Sequence, residues 1–285
     1  MKNLPIPLSD TNAEDIFEEC VSAYRDKTKV VTLLKCKDLV RLDSELYDKV
    51  IPEKIEQFQQ SSLPDDIAKN DMIKVYTNKF VAEKSPGRKY YNIIKEQAKL
   101  NICPICGIRP VKNLDHYLPK AKYPTLSVTP NNLIPSCRDC NMDKRDSASC
   151  DSQNIPVHLY FDDIPNEPWL HVTVGDNLEI LYYISCSNTV DEGVRRRLEK
   201  HLEFYNLHEL YSSHASSQIA DSINMWKKVM FQSGDQALKL SLVDECESSE
   251  KNDLNSWKSA LYRGLINNFD KVKSYITRIH QTNEA

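Results

Sequence analysis

The chain has 285 residues, of which 40% are hydrophobic and 27% charged, and its formal net charge is −4. This composition is typical of a folded protein with a buried core, and it excludes a disordered or strongly basic chain. The sequence contains no apolar run of about 18 residues, and its first twenty residues lack a basic start and an apolar stretch. We therefore expect neither a membrane span nor a secretory signal, and we expect the protein in the cytoplasm.

Hydrophobic spacing predicts helices over most of the first hundred residues, where Ile16, Cys20 and Tyr24 recur every four residues. Residues 101–150 lack this periodicity and are rich in proline, which favours loops and short strands. Two β-rich runs on either side of 175–177 then predict a β-hairpin.

Helical spacing returns after the hairpin, with Val190, Val194 and Leu198 at intervals of four residues. The Ser- and acid-rich segment 244–253 is typical of an exposed loop. The spacing of residues 253–280 predicts one long final helix.

Charge is unevenly distributed along the chain. Residues 101–145 contain seven Lys or Arg and three Asp, a local charge of +4, whereas the remainder carries −8. A basic segment can attract a polyanion, but affinity for nucleic acid depends on how many phosphates are neutralised. Tight binding would therefore need a further basic surface.

Four of the nine cysteines form two C-x-x-C pairs, Cys103 with Cys106 and Cys137 with Cys140. A single pair could be a redox dithiol. Two pairs, in a chain with an odd number of cysteines and no predicted leader, favour a tetrahedral S4 site for Zn²⁺. Sulfur would fill all four coordination positions, so this zinc would be structural.

An Asp–His pair, Asp115 and His116, lies between the two C-x-x-C pairs, and Asn141 directly follows the last cysteine. A strand ending at His116, a return strand near 132–136 and a helix from 137 would form a ββα unit. In that unit Asp115 and Asn141 could face one another across a gap the size of a cation. Oxygen ligands with open positions suit Mg²⁺, and His116 could take a proton from attacking water.

The order CPIC, DHYLPK, NNLIPSCRDCNMDK over residues 103–144 resembles the zinc-braced HNH endonucleases. The resemblance implies that Asp115 and Asn141 hold a catalytic Mg²⁺ or Mn²⁺ and that His116 is the general base. It also implies that Asn132 steadies the loop through hydrogen bonds to the backbone.

Basic residues near the motif are expected to contact nucleic acid: Lys120, Lys144 and Arg145. The resemblance places Lys144 against the phosphate backbone. Arg145 stands where many family members carry glycine.

Segments beyond the motif, among them 157–164 and 193–211, resemble the nuclease subunit of Septu anti-phage defence systems, which some retrons also carry. In those systems the nuclease pairs with an ABC-type ATPase that controls cutting. The resemblance implies an ABC-type ATPase subunit as partner, in some systems together with a retron reverse transcriptase and its RNA–DNA. Such a partner could supply the missing basic surface.

The sequence thus predicts an α+β protein that is predominantly helical. Its predicted regions are an N-terminal helical region at 1–100, a zinc-braced ββα-metal (HNH) nuclease core at 101–150, and a hairpin with further helices at 151–285. The predicted activity is metal-dependent hydrolysis of phosphodiester bonds, with DNA favoured as substrate and an anti-phage role. Two alternatives stay open: the same nuclease acting on tRNA or other structured RNA, and a non-catalytic zinc scaffold that docks the ATPase.

Overall fold

The structure, a computed structural model, describes residues 3–144 and 154–282, and only the backbone of residues 143 and 144. The chain forms two compact units, the first ending at Asp163 and the second beginning at Ile164. The sequence predicted three regions, at 1–100, 101–150 and 151–285, from composition and motifs. The two units are defined by contacts between residues, so the division into three regions stays a prediction.

The first unit consists of helices and one short antiparallel sheet. Its helices and strands, in chain order, are α1 (Ala13–Ser22), α2 (Lys27–Leu34), α3 (Lys37–Val50), α4 (Lys69–Val75), α5 (Arg88–Glu96), β1 (Asn113–His116), β2 (Leu133–Ser136) and α6 (Arg138–Lys144). A wide helical turn with π-helical hydrogen bonding, Tyr76–Phe80, continues α4 and is called the π-turn below. The predicted order of strand, return strand and helix is therefore present.

One hydrophobic core joins the N-terminal helices to the sheet. Phe17 of α1, Val40 of α3 and Phe80 of the π-turn are fully buried in the same cluster as Leu114 of β1 and Leu133 of β2. The helices therefore support the strands directly, and the position of the sheet depends on residues far from it in sequence.

The second unit combines a two-stranded hairpin with a set of helices. Its elements are β3 (Leu170–Val174), β4 (Ile180–Ile184), α7 (Glu192–Phe204), α8 (Leu207–Ser233), α9 (Asp235–Asn252), α10 (Trp257–Asn267) and α11 (Phe269–Thr282). The strands pair antiparallel, with Leu170 opposite Ile184 and Val174 opposite Ile180, which confirms the predicted hairpin. Among the described residues, the helices are too short or too polar to cross a membrane.

Two expectations for the second unit were wrong. Residues 244–252 belong to α9 and not to an exposed loop, because Leu238, Leu242 and Cys246 recur every four residues on its buried face. The expected long final helix is two helices that are separated at Asn268. The Asn268 side chain and backbone N–H both donate to the carbonyl of Gly264, at 2.9 and 3.0 Å, and so end α10.

Gly264 provides a test of the packing between α10 and β3. A Cβ added at this buried position would overlap Cγ2 of Val172 on β3, and a valine side chain has little freedom to move away. We expect Gly264→Ala to lower the free energy of unfolding by about 1–3 kcal/mol, despite the better helix propensity of alanine. Urea unfolding measures the change. In the double variant with Val172→Ala the two losses should be less than additive; full additivity would contradict the proposed contact.

Candidate active site

The four cysteines of the two C-x-x-C pairs come together in the first unit. The sulfur atoms of Cys103, Cys106, Cys137 and Cys140 all lie within 4.8 Å of one another, and all four residues are buried. Gly107 follows the first pair with φ +67° and donates its N–H to the carbonyl of Cys103 at 2.8 Å, which closes a tight turn around the sulfurs. Four convergent thiols in a buried pocket fit a tetrahedral zinc ion.

Hydrogen bonds among these thiols already favour thiolates at two of the four positions. The hydrogen bond from Cys103 is the largest cause that lowers the pKa of Cys106, to about 7. Hydrogen bonds from Cys103 and the other two thiols lower the pKa of Cys137 well below its ordinary value. Hydrogen bonds within the cluster raise the pKa of Cys103 and Cys140, so a metal ion that binds all four sulfurs as thiolates would have to displace the protons of these two.

Strands β1 and β2 carry the Asp–His pair to the edge of a cleft. Asp115 pairs with Ile134 and His116 with Leu133 in the antiparallel register. Asp115, His116 and Asn141 of α6 all line one cleft of about 600 Å³. The structure therefore brings the two predicted metal ligands and the predicted base to one place.

The His116 ring is fixed by the loop between the strands. Its Nε2 lies 2.9 Å from the carbonyl oxygen of Ser127, which is itself fully buried. A carbonyl oxygen only accepts, so Nε2 carries the hydrogen in this arrangement, and Nδ1 is the nitrogen that can take up a proton.

Asn132 lies behind the cleft and does not line it. Its Oδ1 accepts from the N–H of Leu118 at 2.7 Å, and its Nδ2 donates to the carbonyls of Leu118 at 3.0 Å and Leu126 at 3.2 Å. These bonds tie the chain after β1 to the chain before β2. They are contacts of the kind expected for Asn132, and its importance for catalysis stays a prediction.

The expected contacts to nucleic acid are described only in part. Lys120 lines the cleft, and its Nζ lies 5.4 Å from the centre of the Tyr76 ring. The side chain of Lys144 and the whole of Arg145 lie outside the described residues.

Sequence reasoning missed two residues that support the site. Asp43, on the buried face of α3, accepts a hydrogen bond from Thr125 Oγ1 at 2.5 Å and others from the N–H and hydroxyl of Ser61. Thr125 is two residues before Ser127, so this bond fastens the loop that holds His116. The signal was present, because Val40, Asp43 and Tyr47 share one helical face and place a carboxylate among apolar side chains.

Tyr76 of the π-turn is the second residue that the sequence did not reveal. Its ring meets the His116 ring edge to face, with centroids 4.4 Å apart. Nothing in the spacing of the sequence links these two residues, since they are brought together only by the packing of the π-turn on β1.

Comparisons with known proteins agree with this geometry. Residues 103–147 match the HNH endonuclease family. The chain is also 32% identical, over 223 residues, to protein ea31 of Escherichia phage lambda. The aligned stretch covers 72% of this chain and 74% of the phage protein. No solved structure matches the chain. The chain carries an HNH endonuclease domain and belongs to the same family as the phage lambda protein.

The cysteine cluster can be tested by replacing one ligand. We expect Cys137→Ser to lose bound zinc and to unfold at much lower urea concentration, because structural zinc sites contribute roughly 10–16 kcal/mol of apparent binding free energy. Metal analysis of the purified protein and urea unfolding measure both effects.

Cys186→Ser is the matched control, since Cys186 is partly exposed and lies outside the cluster. It should keep zinc and stability. Equal zinc content in both variants and the original protein would refute the four-sulfur site.

Proposed function

We propose that the protein is a metal-dependent endonuclease that hydrolyses phosphodiester bonds, with DNA as the favoured substrate. The observation that carries the proposal is that Asp115, His116 and Asn141, all within the matched HNH region, line one cleft. With zinc bound, the four-cysteine cluster would fix β1, which carries Asp115 and His116, relative to α6, which carries Asn141.

Asp115 and Asn141 would hold the catalytic Mg²⁺ or Mn²⁺. A carboxylate and an amide oxygen fit hard divalent cations, which keep several waters and bind phosphate oxygens. When bound, the ion supplies a positive charge that stabilises the phosphate and the leaving oxygen.

His116 would act as general base. Ser127 holds Nε2, so the ring accepts the proton of a water molecule at Nδ1 as the water attacks phosphorus in line with the leaving oxygen. Breaking the bond to the 3′ oxygen gives a 5′-phosphate and a 3′-hydroxyl. Tyr76 and the Asp43–Thr125 bond restrict the ring and the loop behind it, and so keep the base in position.

Replacement of His116 tests the mechanism. We expect His116→Ala to lower the cleavage rate by about 10²–10⁴-fold, the range typical of a lost general base, while zinc content stays unchanged. The assay uses plasmid DNA and total tRNA, with Mn²⁺ or EDTA, so that it also decides between DNA and structured RNA as substrate.

His171→Ala, at a partly exposed histidine of the second unit, is the matched control and should cleave normally. Full metal-dependent activity of His116→Ala would refute the mechanism. Zinc binding without cleavage of any substrate would favour the scaffold alternative.

We further propose a cytoplasmic anti-phage role under the control of an ABC-type ATPase subunit, in some hosts with a retron reverse transcriptase and its RNA–DNA. The support is the resemblance of residues 157–164 and 193–211 to Septu nuclease subunits, together with the −8 charge outside residues 101–145. An acidic protein needs basic surface from elsewhere to hold nucleic acid tightly.

Co-expression tests this role. The protein should copurify with a co-expressed ABC-type ATPase subunit of a Septu system, and the pair should reduce phage plating. The double variant Asp115→Ala, His116→Ala should copurify equally well but give no protection. Full protection by the double variant would show that its role does not require cleavage.

A further inference from the structure

The candidate catalytic pair lies deep in its cleft. Asp115 is 6% exposed and His116 is 5% exposed. The cleft of about 600 Å³ has the size of a pocket for a small ligand, which is commonly about 300–1,000 Å³. A phosphate must therefore enter the cleft to reach these side chains.

One side of the cleft comes from the N-terminal helices and not from the ββα unit. Ile73 of α4, Thr77 of the π-turn and Val81 directly after it line the cleft, and these three residues are called the cleft wall below. The π-turn is closed by a hydrogen bond of 2.9 Å from the N–H of Val81 to the carbonyl of Tyr76. Single π-helical turns of this kind are frequent at functional sites.

The cleft wall offers apolar contact rather than charge. Ile73 and Val81 are partly exposed, Thr77 is exposed, and the Thr77 hydroxyl donates back to the Ile73 carbonyl at 3.4 Å. Among the cleft residues that the structure describes, Lys120 carries the basic side chain, while Leu114, Pro119 and Ala121 add further apolar surface. Phosphates bind basic groups, whereas the face of a nucleobase packs on aromatic and apolar side chains, and Tyr76 and Tyr91 also line the cleft.

We propose that the cleft accepts an unpaired stretch of nucleic acid, with a base next to the scissile phosphate packed against the cleft wall; this inference rests on the proposed nuclease function. In a duplex the bases are stacked and paired, so their faces are hidden from a protein. In a single strand, gap or loop the bases can turn outward and pack on protein side chains. DNA and RNA bases share this chemistry. The proposed preference is therefore for unpaired over paired nucleic acid, and it does not distinguish deoxyribose from ribose.

The test presents one labelled strand in three forms: single, fully paired, and paired with a complement that lacks a few central nucleotides. DNA and RNA versions are both assayed with Mn²⁺. We expect the single and gapped forms to be cut on the order of ten-fold faster than the paired form, as the loss of one base contact implies.

Equal cutting of paired and single strands would overturn the inference and leave the nuclease function standing. Cutting of none of the forms would overturn the proposed function, and the inference with it. A difference between the DNA and RNA versions identifies the sugar that the site accepts.

A variant of the cleft wall gives an independent readout. We expect Ile73→Ser to raise KM for the single strand about five-fold with little change in kcat, because the base contact is lost and the metal and base groups remain. Val81→Ser should act similarly if Ile73→Ser proves unstable. The control is Ile93→Ser, an isoleucine of α5 that is 46% exposed and does not line the cleft. A KM for both wall variants equal to that of the control would overturn the assignment of the wall.

Discussion

Two pairs of cysteines, one before β1 and one at the start of α6, bring their sulfur atoms within 4.8 Å of one another. Strand β1 carries Asp115 and His116, and α6 carries Asn141, so this contact holds near one another the two elements on which the predicted site residues lie. The strands have four residues each and contribute few backbone hydrogen bonds. A metal ion bound by four thiolates would therefore hold together an arrangement that its own hydrogen bonds hold only weakly.

A buried carboxylate is the second constraint on the site. Asp43 is 2% exposed and would be costly to bury without hydrogen-bond partners, but Thr125 and Ser61 supply them. The carboxylate thus joins α3 to the loop whose Ser127 carbonyl holds His116. The position of the His116 ring therefore depends on this chain of contacts as well as on the strand that carries it.

The features that were predictable from the sequence are local in the chain. Three such features are present in the structure: the cysteine pairs three residues apart, the strand that ends at His116, and the hairpin near residue 175. Each of them depends on residues that are neighbours in the sequence. The features that were missed depend on distant contacts: Thr125 meets Asp43 across 82 positions, and α9 continues through a polar segment because Cys246 is buried. The composition of residues 244–252 is polar, but one buried face is enough to keep the segment helical.

The shared core of helices and sheet limits how far the catalytic segment can be moved between proteins. Residues 103–144 contain the four sulfurs, the predicted metal ligands and the predicted base, and they would look like a transferable cassette. Tyr76, Asp43 and the helical face beneath Leu114 and Leu133 would be left behind in such a graft. The motif supplies the chemical groups, but the surrounding helices supply the contacts that position them, so a graft of residues 103–144 alone would lack that support.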